Sequence, residues 1–158
     1  MRWVWLIYRL PREPSSPRIA VWRKLGRLGV ARLTDGVVAL PLDARNREQL
    51  EWLADEVVES GGQAMVWLAE PTSPAAERRL VEGLAAERSA EYREVITQAQ
   101  LAVAGDAAVR RRELRRLRGE LRRIRQRDYF PPAERDLAAV AVADLAVAPT
   151  ADVVVEGR

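Results

Sequence analysis

The start of this chain constrains its fold more than any other stretch. Trp3-Val4-Trp5-Leu6-Ile7 is a short, unbroken apolar run, which predicts a strand buried on both faces. It ends in Tyr8-Arg9, crosses a short proline-containing loop, and meets a helix start. There Ser16 reads as the N-cap and Pro17 as the first turn. Ile19, Val21, Trp22, Leu25 and Leu28 supply the apolar positions of that helix, and Gly29 stops it. A buried strand feeding a helix calls for a sheet with helices laid on it.

The following residues extend the pattern. Residues 30–33 form a second short strand, Asp35-Gly36 is a two-residue hairpin signal, and residues 37–40 form a third strand closed by Pro41. A second helix opens at residues 43–47, where Asn46 and Gln49 have capping-box spacing. Leu50, Leu53 and Val57, with Trp52 as a further candidate, recur at helical spacing until Gly61-Gly62, and residues 64–68 make a fourth strand. The order is that of a ferredoxin-like βαββαβ domain, in the α+β class, over residues 1–70. Its two helices cover one face of the sheet. The other face awaits a dimer partner or the C-terminal helices.

Residues 74–148 read as helical. A stripe of Leu80, Leu84, Tyr92, Val95, Ile96 and Ala99 predicts one helix over 75–104. Gly105-Asp106 breaks it before a second helix over 107–127, so the two form an α-helical hairpin. Tyr129-Phe130-Pro131-Pro132 precedes a C-terminal helix over 133–147. Residues 149–158 read as a flexible tail in which Val153-Val154-Val155 offers an edge strand.

Composition removes several chemistries. With no cysteine and no histidine, there are no disulfides, no thiolates, no Cys/His zinc sites and no histidine bases. Serines lack their usual base, and the glycines match neither dinucleotide nor P-loop spacing. No cofactor, metal site or catalytic residue is expected. No apolar segment reaches the roughly 18 residues of a membrane span, and no signal peptide is apparent. The default location is the cytoplasm.

Charge is unevenly distributed. The net charge is only +3, yet Val109–Arg127 holds ten arginines and two glutamates, a local balance of +8. Leu114, Leu117, Leu121 and Ile124 form one narrow seam there, leaving Arg111, Arg112, Arg115, Arg116, Arg122 and Arg123 on the other faces. Guanidinium forks suit phosphate and other oxyanions. Two readings stand for this helix. One is a surface for nucleic acid or an oxyanion. The other is a solvated face paired with Glu77, Glu82, Glu87, Glu91 and Glu94 of the preceding helix. A smaller basic group, Arg9, Arg12, Arg18, Arg23, Lys24 and Arg27, gathers near the end of the first strand. Trp3, Trp5, Trp22, Trp52 and Trp67 all lie in apolar patterns and are expected in the core. Trp22 or Trp52 is the candidate for a partly exposed place at an interface.

The stretches WLIYRLPREPSSPRIAVWRKLGRLG, DGVVALP and REQLEWLADEVVESGGQAMVW resemble the N-terminal domain of the chromate-resistance regulator ChrB. The resemblance extends to Arg127-Asp128-Tyr129-Phe130. It implies a transcriptional regulator responsive to chromate, although longer members of that family carry a further C-terminal domain. A more distant similarity links the strand order to CRISPR-adaptation nucleases and PaaX-type repressors. In those nucleases a metal-binding Asp follows Tyr at the end of the first strand. Here Arg9 follows Tyr8, which argues against a metal-dependent nuclease.

The leading expectation is therefore a non-enzymatic, DNA-associated regulatory domain, homodimeric, with Arg9, Arg12, Arg18, Arg23, Lys24 and the arginines of the 107–127 helix on phosphate. The alternatives are a protein–protein interaction module and an accessory subunit that senses chromate or another oxyanion directly.

Overall fold

The structure, a computed structural model, describes residues 1–147. The chain divides into two compact units. One is Met1–Glu87 with Gln126–Pro131, and the other is Arg88–Arg125 with the residues from Pro132 onward.

The first unit holds β1 (Trp3–Arg9), α1 (Ser16–Leu28), β2 (Ala31–Thr34), β3 (Val37–Pro41), α2 (Ala44–Glu59), β4 (Gln63–Ala69) and the first part of α3 (Pro74–Val103). The sheet order is β2-β3-β1-β4 and every neighbouring pair is antiparallel. This is the ferredoxin-like arrangement, with the two βαβ halves interleaved at the central strands. Alternation along β1 decides the layers. Val4 and Leu6 join Val38 and Leu40 beneath Val21 and Leu25 of α1 and Leu50, Leu53 and Val57 of α2. Gly29 stops α1 in the left-handed region at φ 67°, where glycine meets no Cβ penalty.

The opposite face is covered only in part. Trp3, Ala31 and Ala39 pack with Leu84, and Leu80, Val81 and Phe130 close over them. Further along β1 this cover ends, and Ile7 is 41% exposed. The expectation of a strand buried on both faces thus holds for its first half alone. The tryptophans need a similar correction. Trp3 is buried and Trp5 half-buried, but Trp22, Trp52 and Trp67 are all more than half exposed. Apolar periodicity tells which side of an element is greasy, but not whether another layer lies over it.

The start of α2 also differs from the capping-box expectation. Asp43 is the N-cap and accepts the Asn46 backbone N–H at 2.7 Å. Asn46 lies inside the helix, buried, and its amide donates to the Pro41 carbonyl oxygen at 3.0 Å. A side chain turned inward to a strand carbonyl is not available to cap a helix.

In the second unit, Tyr92, Val95 and Ala99 of α3 pack with Leu117, Leu121 and Ile124 of α4 (Ala107–Arg125) and with Ala138 and Val142 of α5 (Glu134–Asp144). The apolar stripe of α3 therefore serves two cores, Leu80 and Leu84 in one unit and Tyr92 onward in the other. The loop at 104–106 joins α3 and α4, and Asp106 caps α4 by accepting the Val109 N–H at 2.8 Å. Arg93 bonds both Ser89, at 2.7 Å, and Glu134, at 3.0 Å, tying α3 to α5. The last helix is shorter than the 133–147 expected. The tail assigned to 149–158, with its offered edge strand, lies outside the described residues.

Candidate nucleic-acid interface

Two glycines fix the end of β1. Gly36, in the β2–β3 turn at φ 74°, accepts the Tyr8 N–H on its carbonyl oxygen at 2.8 Å. A Cβ at Gly36 would stand 2.4 Å from the Tyr8 carbonyl oxygen, and one at Gly62 would stand 2.4 Å from that of Arg9. Neither turn can hold a larger residue without moving. Tyr8-Arg9 is thus clamped between them at the rim of the sheet.

A groove of about 1110 Å³ opens beside this rim. Tyr8 and Arg9 line one side, Arg18, Trp22 and Arg23 of α1 another, and Arg32 and Asp35 of the β2–β3 hairpin a third. Its arginines Arg9, Arg18, Arg23 and Arg32 all project from exposed positions. Among the described residues, none of these four is paired with a carboxylate. The Arg32 guanidinium sits 5.8 Å from the centre of the Trp22 ring, within cation–π range.

The structure sorts the smaller basic group expected from the sequence. Arg9, Arg18 and Arg23 come together in the groove, whereas Arg12 does not line it. Lys24 turns away to an ion pair with Glu56 of α2. Arg32 is the residue that sequence reasoning passed over. A regular two-residue hairpin about Asp35-Gly36 pairs Thr34 with Val37 and would set Arg32 opposite Ala39. Instead a bulge at Leu33 pairs Arg32 with Val38 and Ala31 with Ala39. That one-residue shift moves Arg32 to the face on which α1 packs.

The helix α4 forms a second basic surface. Leu117, Leu121 and Ile124 are buried and Leu114 is half-buried, while all its arginines except half-buried Arg110 are exposed. Its two glutamates are engaged locally. Glu113 meets Arg112 at 3.6 Å and Arg116 at 2.7 Å, and Glu120 pairs with Arg123. The hydrogen bond from Arg116, helped by Arg112, holds the Glu113 carboxyl below its ordinary pKa. Arg116 also donates to Gln98 of α3 at 2.6 Å. Among the described residues, Arg111, Arg115, Arg118, Arg122 and Arg125 have no carboxylate partner. Neutralisation by the glutamates of α3 therefore leaves at least these five arginines uncompensated.

No group of three or more His, Cys, Asp or Glu side chains converges as a metal site among the described residues. No helix among them is long and apolar enough to cross a membrane.

Comparison with known proteins adds a family. Residues 18–104 match the family described as "Protein ChrB, N-terminal". "Protein ChrB" of Cupriavidus metallidurans (strain ATCC 43123 / DSM 2839 / NBRC 102507 / CH34) is 29% identical over 133 residues, covering 82% of this chain and 40% of that protein. This chain therefore spans less than half the length of that relative. No solved structure matches it.

Proposed function

Because this chain belongs to the ChrB N-terminal family, we propose that it is a DNA-associated regulatory domain linked to chromate resistance. One observation carries the DNA reading. α4 buries its leucine seam and turns outward at least five arginines that no carboxylate of the described chain offsets. Such a surface attracts the phosphate backbone by displacing condensed counterions, and it does so with little regard to sequence. In this reading the chain binds and does not catalyse, in keeping with Arg9 at the strand end where the distantly similar nucleases carry a metal-binding Asp.

The reading includes a homodimer. β4 is an edge strand, QAMVWLA, without charge, proline or glycine, and its Met65, Trp67 and Leu68 are about half exposed. Edge strands that stay alone usually carry charges or bulges that deter pairing. In contrast, β2, at the other edge, carries both Arg32 and a bulge.

The test is retention of duplex DNA at low salt by the wild-type chain and by a variant with Arg115→Glu and Arg122→Glu. Retention lost in the variant supports the reading, and a wild-type chain that retains no duplex refutes it.

A further inference from the structure

We propose that the groove beside Tyr8-Arg9 binds single-stranded nucleic acid, with one unpaired base stacked on Trp22 and the flanking phosphates held by Arg9, Arg18, Arg23 and Arg32. This inference does not rest on duplex binding by α4.

Trp22 is the first reason. It is 63% exposed, more than any other tryptophan in the chain, although it sits on a helix whose inner side packs well through Val21 and Leu25. A large aromatic ring left mostly in water gains little for the fold beyond its contact with Arg32. Its neighbours are cationic. The main groove holds Arg9, Arg18, Arg23 and Arg32, and an adjoining smaller hollow of about 360 Å³ is lined by Arg23, Gly26, Arg27 and Arg127. Trp22 lines both. A ring flanked by guanidinium groups matches a ligand that alternates flat heterocycles with phosphates.

Gly26 is the second reason. It lies one turn after Trp22, inside the helix, where glycine is intrinsically poor. Nothing stands within 4 Å of where its Cβ would be, so no packing requirement excludes a side chain. Its effect is to leave the helix bare beside the Trp22 ring.

Size and stacking then choose among anions. A groove of about 1110 Å³ stands at the upper edge of small-ligand pockets and has room for more than one small anion. A tetrahedral oxyanion uses no aromatic platform. In a duplex, base faces are already stacked on one another, so Trp22 can take only an unpaired base.

The experiment measures binding of an unstructured oligothymidylate of about ten nucleotides, within the usual site size, at low salt by fluorescence anisotropy. A hairpin duplex of equal charge and adenosine monophosphate serve as competitors. Trp22→Ala and, separately, Gly26→Leu are expected to weaken oligothymidylate binding by about tenfold or more. Both should leave duplex retention near wild type and the chain folded: Trp22→Ala loses only the exposed contact with Arg32, and Gly26→Leu should raise the unfolding midpoint slightly, because leucine suits a helix interior better than glycine. Binding unchanged in both variants would overturn the proposal, as would equal losses for duplex and single strand. Two other results also count against it. Competition by the mononucleotide at the oligonucleotide's own concentration would mark a nucleotide pocket, and a Trp22-dependent change of oligomeric state would mark a protein interface. Reversal of the α4 arginines should leave the Trp22-dependent signal in place, which separates failure of this inference from failure of the duplex reading.

Discussion

Tyr129 donates its hydroxyl to the Leu28 carbonyl oxygen at 2.7 Å, across 101 positions of sequence. Leu28 is the last residue of α1, so this carbonyl is one of those a helix end leaves without an internal partner. The Asn46 side-chain oxygen lies 3.4 Å from the same hydroxyl. Tyr129 thus ties the returning segment Gln126–Pro131 to the first unit, where Phe130 lies 6.1 Å from the Trp3 ring centre. Tyr129→Phe removes the hydroxyl and keeps the ring. It should lower stability by about 1 kcal/mol, read as the midpoint of urea unfolding. A midpoint unchanged from wild type would mean that the bond contributes nothing.

The apolar edge of β4 supports a prediction about assembly. In antiparallel self-pairing, a second copy brings no like charge against Gln63–Ala69, and Trp67 and Met65 gain cover. Light scattering should therefore find a dimer that Trp67→Glu converts to a monomer of unchanged helix content. A wild-type chain that stays monomeric at tens of micromolar, on the order of ordinary dimer affinities, refutes the edge pairing.

Acid should loosen the second unit through three carboxylates. The Glu134 pKa is lowered by its hydrogen bonds with Ser89, its own backbone N–H and Arg93, that of Glu113 by Arg116 and Arg112, and that of Asp106 by the Val109 and Ala108 N–H groups at the start of α4. A folded-state pKa below the unfolded value means that the native chain binds fewer protons. The stabilisation is then fully present above the ordinary values of 4.5 for Glu and 3.8 for Asp, and is lost as pH falls through the lowered folded values. Asp106 is exposed and Glu113 and Glu134 are only half-buried, so solvent screening keeps the effect small. Melting temperature followed from pH 6 downward should stay level and then fall below about pH 4.5. Glu134→Gln should flatten part of that fall, and an identical acid limb in the variant would remove Glu134 from the account.

Much of the fold can be read from residue order alone, because its punctuation is local. Asp35-Gly36 makes a turn only glycine fits, Gly29 is a left-handed helix stop, and the leucine seam of α4 has one spacing that buries it. The candidate site is only half legible. Arg9, Arg18 and Arg23 converge because the strand end and the helix start are adjacent in sequence. Arg32 joins them through a bulge that no short-range pattern announces. Lys24 looks equivalent to its neighbours, yet Glu56 lies 32 positions away and captures it. Trp22 and Trp67 sit in apolar patterns whose outer layer is missing, which a periodicity cannot reveal.

The central claim is that arginines of α4 meet DNA phosphates, and the dependence of duplex binding on salt tests it most directly. The logarithm of the binding constant should fall linearly with the logarithm of salt concentration, by about 0.9 for each phosphate neutralised. Replacing Arg115, Arg118 and Arg122 together by glutamine should make that slope shallower by about 2 to 3, with no change in the unfolding midpoint because all three are exposed. Duplex binding whose salt slope is the same in wild type and triple variant would contradict the account.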